Sequence, residues 1–123
     1  MLYVDDDVDW LEVVAAALER EQERLTVQGE TSAQVALDVL RTAPVDAVLS
    51  DYEMPGMNGI EFLEHVRAAH PEVPFILYTG RGNEAIESDA LSRSVTEYVQ
   101  KGSSQAHYSG LAARILTAVE TAE

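Results

Sequence analysis

Asp51 is the residue of this chain whose type and position most strongly suggest chemistry. It follows the apolar run Ala47-Val48-Leu49-Ser50, which is typical of a strand that is covered on both faces. Pro55 and Gly56 come soon after it and predict a loop. The carboxylate is therefore expected at the carboxyl end of a central strand, which is the edge where open α/β sheets bind their ligands.

A second acidic group, Asp5-Asp6-Asp7, ends the first apolar run, Leu2-Tyr3-Val4. Standing alone, such a triplet could simply cap a helix and complement its dipole. If the two strands are parallel neighbours, however, three or four carboxylates meet, and like charges at that distance repel strongly. A divalent cation would remove this cost. Because the chain has no Cys and no His nearby, the ligands are oxygens, which favours Mg²⁺ or a similar hard ion such as Mn²⁺.

Two more polar side chains follow later strand-like runs. Thr79 comes after Phe75-Ile76-Leu77-Tyr78 and before Gly80, where it could be ordinary turn chemistry. Lys101 ends the last such run and is the only lysine, since the other seven basic residues are Arg. Its compact ammonium is a suitable point-charge partner for a phosphate or a carboxylate. Each of these side chains falls at the end of a strand, so we expect them to meet at one edge of a sheet.

Five strand-then-helix units account for the whole chain. Their alternation with short connections predicts an α/β protein with a parallel sheet and helices on both faces. The predicted strands are Leu2–Val4, Leu25–Gly29, Val45–Ser50, Phe75–Tyr78 and Val95–Gln100, and the predicted helices are Val8–Gln22, a segment capped by Ser32, Gly59–Ala69, Asn83–Ser92 and Ser104–Thr121. Helical spacing of apolar residues selects the core-facing positions Leu11, Val14, Ala15 and Leu18, then Ala33, Ala36, Leu37 and Leu40, and finally Tyr108, Leu111, Ala112, Ile115 and Val119.

Composition restricts the function further. With 123 residues, of which 46% are hydrophobic, we expect one domain over residues 1–123 and no output domain. No apolar stretch reaches the roughly 18 residues of a membrane span, and no signal peptide opens the chain, so a cytoplasmic location is predicted. The formal charge of −14 disfavours direct binding to nucleic acid. We interpret this acidity as the mark of a halophilic, archaeal source.

Taken together, these motifs resemble the receiver domains of two-component response regulators. The resemblance covers essentially the whole chain and lies in Val4-Asp5-Asp6-Asp7, in the segment from Leu49 to Gly59, in Tyr78-Thr79-Gly80 and in Tyr98-Val99-Gln100-Lys101. It implies a flavodoxin-like (βα)5 three-layer sandwich, with a five-stranded parallel sheet in the order 2-1-3-4-5. One departure is Gly102, where many receivers have a proline after the lysine.

By this resemblance, Asp51 accepts a phosphoryl group from a sensor histidine kinase. Asp5 and Asp6 hold Mg²⁺ together with Asp51 and the backbone carbonyl of Glu53, and Asp6 is the more direct ligand. Thr79 and Lys101 contact the phosphoryl oxygens. Such a domain is not an enzyme beyond its own phosphorylation and dephosphorylation.

The resemblance also implies a switch. Tyr98 matches the aromatic residue that changes rotamer with phosphorylation, and Thr79 links it to the phosphoryl group. The surface of the fourth helix, fifth strand and fifth helix then changes, and it would contact an output domain, a downstream protein or a second copy in a homodimer.

Two other functions use related features. A haloacid dehalogenase-like phosphatase has an Asp nucleophile, and Asp51-Tyr52-Glu53 superficially fits, but that nucleophile follows the first strand of its sheet. A flavodoxin-like electron carrier would need its flavin phosphate after strand one, where Asp5-Asp6-Asp7 would repel it. A degenerate receiver is disfavoured because every acceptor-site residue is present.

A further hypothesis concerns the lifetime of the phosphoryl group. Glu53 lies two residues after Asp51, and Arg81 lies two after Thr79, on the two loops that flank the site. An ion pair between them would crowd the water that hydrolyses the acyl phosphate, so Glu53→Ala and Arg81→Ala are each expected to hasten its loss.

Overall fold

The computed structural model describes residues 1–80 and 82–122. Strands and helices alternate along the chain, as the sequence predicts. The strands are β1 (Leu2–Val4), β2 (Gln28–Glu30), β3 (Val48–Ser50), β4 (Phe75–Thr79) and β5 (Glu97–Gln100), and the helices are α1 (Val8–Glu21), α2 (Ala33–Thr42), α3 (Gly59–Ala69), α4 (Glu84–Ser92) and α5 (Gln105–Ala122).

The five strands form one parallel sheet in the order β2-β1-β3-β4-β5. This confirms the predicted order 2-1-3-4-5. Val4 pairs with Ser50, so β1 and β3 end side by side, and the residues that follow them leave the sheet together. Because Thr79 pairs with Gln100, β4 and β5 likewise end at the same edge.

Helices cover both faces of the sheet. On one face, α2, α3 and α4 pack on side chains such as Val48, Phe75 and Leu77. On the other face, α1 and α5 pack on Leu49 and Ile76. The central strands are therefore buried on both sides, which is why they are apolar runs without alternation.

Three strands are shorter than the sequence predicts. β2, β3 and β5 begin at Gln28, Val48 and Glu97 rather than at Leu25, Val45 and Val95. Leu25 and Val95 are buried but lie before the paired segments, so their apolar character reflects core packing rather than strand pairing. The core-facing helical positions are largely confirmed: Ala15, Leu37 and Val119 are only partly buried, and Ala17 and Ala118 are buried although they were not predicted.

The start of α3 positions the loop that follows β3. The Asn58 side chain accepts hydrogen bonds from the backbone of Ile60 and Glu61, and the Glu61 carboxylate accepts one from the Asn58 backbone. This reciprocal capping box fixes where the helix begins. Gly59 is needed at the next position, because a Cβ there would overlap the Asp51 carbonyl oxygen and lie 2.9 Å from the Tyr52 Cα.

Among the residues that the structure describes, none of the helices is long and apolar enough to cross a membrane.

Candidate functional site

Three carboxylates meet at the carboxyl edge of the sheet, as the sequence predicts. Asp5 and Asp6 follow β1, and Asp51 follows β3, so the parallel pairing of the two strands brings them together. One oxygen from each carboxylate lies within 4.8 Å of the others. This is a set of oxygen donors only, and it suits a hard divalent cation.

Asp5 and Asp6 differ sharply in their surroundings. Asp5 is fully buried, and its Oδ2 accepts hydrogen bonds from the Tyr3 hydroxyl at 2.9 Å and from Lys101 Nζ at 2.7 Å. Its Oδ1 accepts a third hydrogen bond from the Asp7 backbone N–H at 3.0 Å. Asp6 is exposed at the mouth of the site. Asp5 is thus held by the protein, whereas Asp6 is accessible to a ligand from solvent.

Lys101 crosses the site from the end of β5. Its Nζ lies 2.7 Å from Asp5 Oδ2 and 3.4 Å from Asp51 Oδ2. The ammonium also lies 5.2 Å from the ring centroid of Trp10, within the range of a cation–π interaction. With three carboxylates and one ammonium, the cluster keeps a formal excess of negative charge.

Asp51 is buried, and burial raises the pKa of its carboxyl group. The Lys101 ammonium opposes this rise in the pKa, the negative charge of Asp5 adds to it, and the Tyr52 backbone N–H opposes it again by donating to Asp51 Oδ1 at 2.7 Å. The carboxylate is therefore positioned by a backbone donor and a lysine, in a place where its charge is poorly solvated.

Two adjoining cavities open onto Asp51. The larger, of about 610 Å³, is lined by Asp6, Asp7, Asp51, Tyr52, Glu53, Met54, Pro55, Asn58 and Lys101. The smaller, of about 150 Å³, is lined by Asp51, Glu53, Thr79, Gly80 and Lys101. Thr79 therefore lies beside Asp51, and its carbonyl accepts a hydrogen bond from the backbone N–H of Lys101 at 3.0 Å. A group attached to Asp51 in the small cavity would lie beside the side chains of Thr79 and Lys101.

Tyr98 lies on β5, behind the Thr79 side of the site. Its ring is partly buried against the core under α2, α3 and α4. A Cβ built on Gly82 would overlap the Tyr98 hydroxyl and lie 2.9 Å from Thr79 Cγ2. The glycine therefore leaves room for the end of the tyrosine ring beside Thr79. Burial raises the pKa of the Tyr98 phenol, so it stays protonated at neutral pH.

The remaining predicted positions have different outcomes. Glu53 lines both cavities. Arg81 lies outside the described residues, so its pairing with Glu53 stays a prediction. No cis peptide bond occurs in residues 1–80 and 82–122, and the backbone at Gly102 is trans.

Sequence reasoning missed three residues that shape the site. Tyr3 holds Asp5, Trp10 lies beside Lys101, and Gly59 allows α3 to approach Asp51. A tyrosine in a short apolar run before an acid and the only tryptophan five residues after Asp5 were the available signals.

Known proteins match this chain over most of its length. The family described as the response regulator receiver domain matches residues 1–111. A protein-glutamate methylesterase/protein-glutamine glutaminase of Rhodospirillum centenum is 29% identical, with 89% of this chain and 28% of that protein covered. The hydrogenase transcriptional regulatory protein HoxA of Cupriavidus necator is 33% identical, with 82% and 20% covered. The chain thus spans about a quarter of the length of these relatives.

Solved structures share the fold. The receiver domain of NtrX from Brucella abortus is 28% identical, with a TM-score of 0.79 and coverage of 94% of this chain and 97% of that one. A response regulator receiver domain protein from Methanospirillum hungatei has a TM-score of 0.87 at 24% identity, with coverage of 98% and 93%. The second likeness concerns the fold alone.

Proposed function

Because the chain belongs to the response regulator receiver domain family, we propose that its Asp51 accepts a phosphoryl group from a sensor histidine kinase. The observation that carries this proposal is the site itself: three carboxylates within 4.8 Å and one lysine between two of them, beside a cavity that reaches Thr79. This arrangement fits neither a phosphatase with its nucleophile after the first strand nor a flavin phosphate site.

The donor set fits a divalent cation. Asp6, Asp51 and the Glu53 carbonyl would hold Mg²⁺ or Mn²⁺, while Asp5, whose oxygens already accept three hydrogen bonds, would act mainly through its charge. When bound, the cation supplies positive charge that offsets the carboxylates and the incoming phosphoryl oxygens.

Phosphoryl transfer forms one bond and breaks one bond. An Asp51 carboxylate oxygen bonds to phosphorus while the phosphorus–nitrogen bond of the kinase phosphohistidine breaks. The imidazole nitrogen leaves with the electron pair. The Lys101 ammonium and the Thr79 hydroxyl, which both line the small cavity, would stabilise charge on the equatorial oxygens.

The signal would leave the site through Thr79 and Tyr98. Lys101 pairs with Asp5 and Asp51 before modification, so a phosphoryl group offers it a new partner. Thr79 moving toward the same group would change the space beside the Tyr98 ring. The altered surface is α4, β5 and α5, where Leu91 is 57% exposed. Its partner would be an output domain, a downstream protein or a second copy of the chain in the cytoplasm.

The first experiment is phosphorylation by acetyl phosphate in MgCl₂, followed by intact-mass spectrometry. Wild type is expected to gain one acid-stable, base-labile phosphoryl group, and Asp51→Asn is expected to gain none. Labelling should disappear in EDTA because the carboxylates then lack the cation that offsets their charge.

Asp46→Asn is the matched control, because Asp46 is exposed and precedes β3 at the opposite edge of the sheet. It should be labelled like wild type. Equal labelling of Asp51→Asn would place the acceptor elsewhere and refute the proposal.

A further inference from the structure

Gly102 follows the lysine of the site and has no space for a side chain. A Cβ built on it would lie 2.8 Å from Nδ1 and 2.9 Å from Cγ of His107. The imidazole ring thus covers the Gly102 backbone directly. A substituent of any size at this position would displace the histidine.

His107 is itself held firmly in the first turn of α5. Its backbone N–H donates to Ser104 Oγ at 3.0 Å. Its ring stacks on Tyr78, with centroids 5.7 Å apart and planes at 21°, and meets the edge of Tyr108 at 5.4 Å. Such ring pairs prefer these geometries and resist rotation.

A hydrogen bond of 2.7 Å joins the Tyr78 hydroxyl to His107 Nε2. Burial raises the pKa of the Tyr78 phenol, so the phenol keeps its proton and is the donor of the hydrogen bond to Nε2. Burial and the charge of Arg114 lower the pKa of His107, which favours the neutral ring that can accept it. The backbone amide of Gly102 also acts on the Tyr78 oxygen and opposes the rise in the pKa of the phenol.

We propose that Tyr78 and His107 are positioning residues that hold the Lys101–Gly102 peptide and thereby aim the Lys101 ammonium into the site. The backbone N–H of Lys101 is bonded to the Thr79 carbonyl at 3.0 Å, which fixes the peptide before the lysine. The ring of His107 fixes the peptide after it. Because the peptides on both sides of Lys101 are held, the position of its Cα atom and the direction of its Cα–Cβ bond are fixed, although the side chain itself is flexible.

This inference rests on the proposed function, since the direction of Lys101 matters most when a phosphoryl group forms on Asp51. It also explains why the peptide after Lys101 can be held in place although the next residue is Gly102 rather than proline. Glycine permits the imidazole to lie on the backbone, and the pair of rings supplies the local rigidity that glycine lacks.

The test compares Tyr78→Phe and His107→Leu with His107→Gln, in which the amide oxygen can still accept a hydrogen bond from the phenol. The rate of labelling by acetyl phosphate should fall about three- to tenfold in the first two variants and recover in the third, because misplaced groups cost rate. Affinity for Mg²⁺ should change less than twofold in all three. His65→Leu, on the exposed face of α3, is the matched control and should behave like wild type.

A spectroscopic measurement separates this inference from the proposed function. In the unphosphorylated protein, the ¹⁵N–¹H shifts of Gly102 and Lys101 should move in Tyr78→Phe and His107→Leu but not in His65→Leu. If wild type itself is not labelled, the proposed function fails, and these shifts still decide whether the rings hold the peptide. Unchanged shifts together with wild-type labelling rates would overturn the inference.

Gly102→Ala provides an independent test through a double-mutant cycle. Alone it should slow labelling, because its Cβ would displace His107. In a His107→Ala background it should add no more than a twofold effect. Equal slowing by Gly102→Ala in both backgrounds would show that the two residues act separately and would refute the pairing.

Discussion

Asp51 combines two demands that conflict. As the proposed phosphoryl acceptor it would have to be ionised, yet it is only 7% exposed and lies beside the buried Asp5. Burial raises the pKa of its carboxyl group, and Lys101 only partly opposes this. The free protein therefore holds a carboxylate whose charge the fold disfavours, and a bound cation would offset that cost.

Asp51→Asn is accordingly expected to stabilise the metal-free protein by about 1 kcal/mol at pH 7, because it removes a poorly compensated buried charge. A raised folded-state pKa means that the wild-type carboxyl group favours the fold below its unfolded pKa of about 3.9, and that this contribution is lost as the pH rises through the folded-state pKa. The extra stability of Asp51→Asn over wild type should therefore become smaller at low pH, where the wild-type carboxyl group is protonated.

Urea unfolding in EDTA at pH 7 and near pH 4 measures this difference. Asp46→Asn is again the control, since that carboxylate is exposed. A less stable Asp51→Asn at pH 7 would show that the Lys101 pair outweighs burial.

Trp10 is a natural reporter for Lys101. It is the only tryptophan, and the ammonium lies 5.2 Å from its ring centroid. If Lys101 leaves Asp5 for a phosphoryl group, its distance from the indole changes, and so should the fluorescence. We expect acetyl phosphate with MgCl₂ to change the emission of Trp10 in wild type. The emission should stay unchanged in Asp51→Asn and in Lys101→Ala. Full labelling of wild type with no change in emission would mean that Lys101 keeps its place.

The residues that carry charge at the site could be predicted, because polar groups directly after apolar runs are visible in the sequence. Asp5, Asp51 and Lys101 meet as expected. Tyr78 and His107 could not be predicted as a pair, because they are 29 residues apart and each has an ordinary reading as a core or surface residue. Only the packing of α5 on the sheet brings them together.

Element boundaries were predictable where local hydrogen bonding decides them. α3 begins at its predicted residue because Asn58 and Glu61 form a complete capping box. β2 was placed too early because its paired residues, Gln28-Gly29-Glu30, are polar while the apolar Leu25 lies before the strand. At the edge of this sheet, backbone pairing with β1 decides the strand and side-chain hydrophobicity does not.

The contact between Thr79 on β4 and Tyr98 on β5 depends on the absence of a side chain at Gly82. Its missing Cβ leaves the space that the Tyr98 hydroxyl occupies beside Thr79. Gly82→Ala should therefore force Tyr98 out of this position without any phosphorylation. Ring-labelled tyrosine NMR should show the Tyr98 signals shifted in the variant, and addition of beryllofluoride should move them less than in wild type.

Gly110→Ala is the control for this prediction, because a Cβ at Gly110 meets no atom within 4 Å. It should leave the Tyr98 signals in place and stabilise α5 by about 0.5–1 kcal/mol through helix propensity. Wild-type Tyr98 shifts in Gly82→Ala would show that the ring can share this space with a methyl group.

The formal charge of −14 is much larger in magnitude than the site requires. The three clustered carboxylates and Lys101 contribute −2 of it, so about −12 belongs to the rest of the surface. Exposed ion pairs such as Arg114–Glu97 and Arg24–Glu120 offset little of this repulsion. The halophilic origin predicted from the sequence can therefore be tested by measuring how the stability of the protein depends on salt.

Raising KCl from 0.1 to 2 M in EDTA is expected to increase the free energy of unfolding by roughly 1–3 kcal/mol, because screening weakens repulsion among the surface carboxylates. Screening alone should be nearly complete by about 1 M, where the Debye length is about 3 Å. Adaptation to high salt should instead give a continued rise above 1 M. A variant with the exposed Glu12, Glu23 and Asp46 changed to their amides is the control, and its dependence on salt should be smaller. Urea midpoints along the KCl series measure both proteins. Stability that levels off below 1 M would assign the acidity to simple repulsion, and stability that falls with salt would refute both accounts.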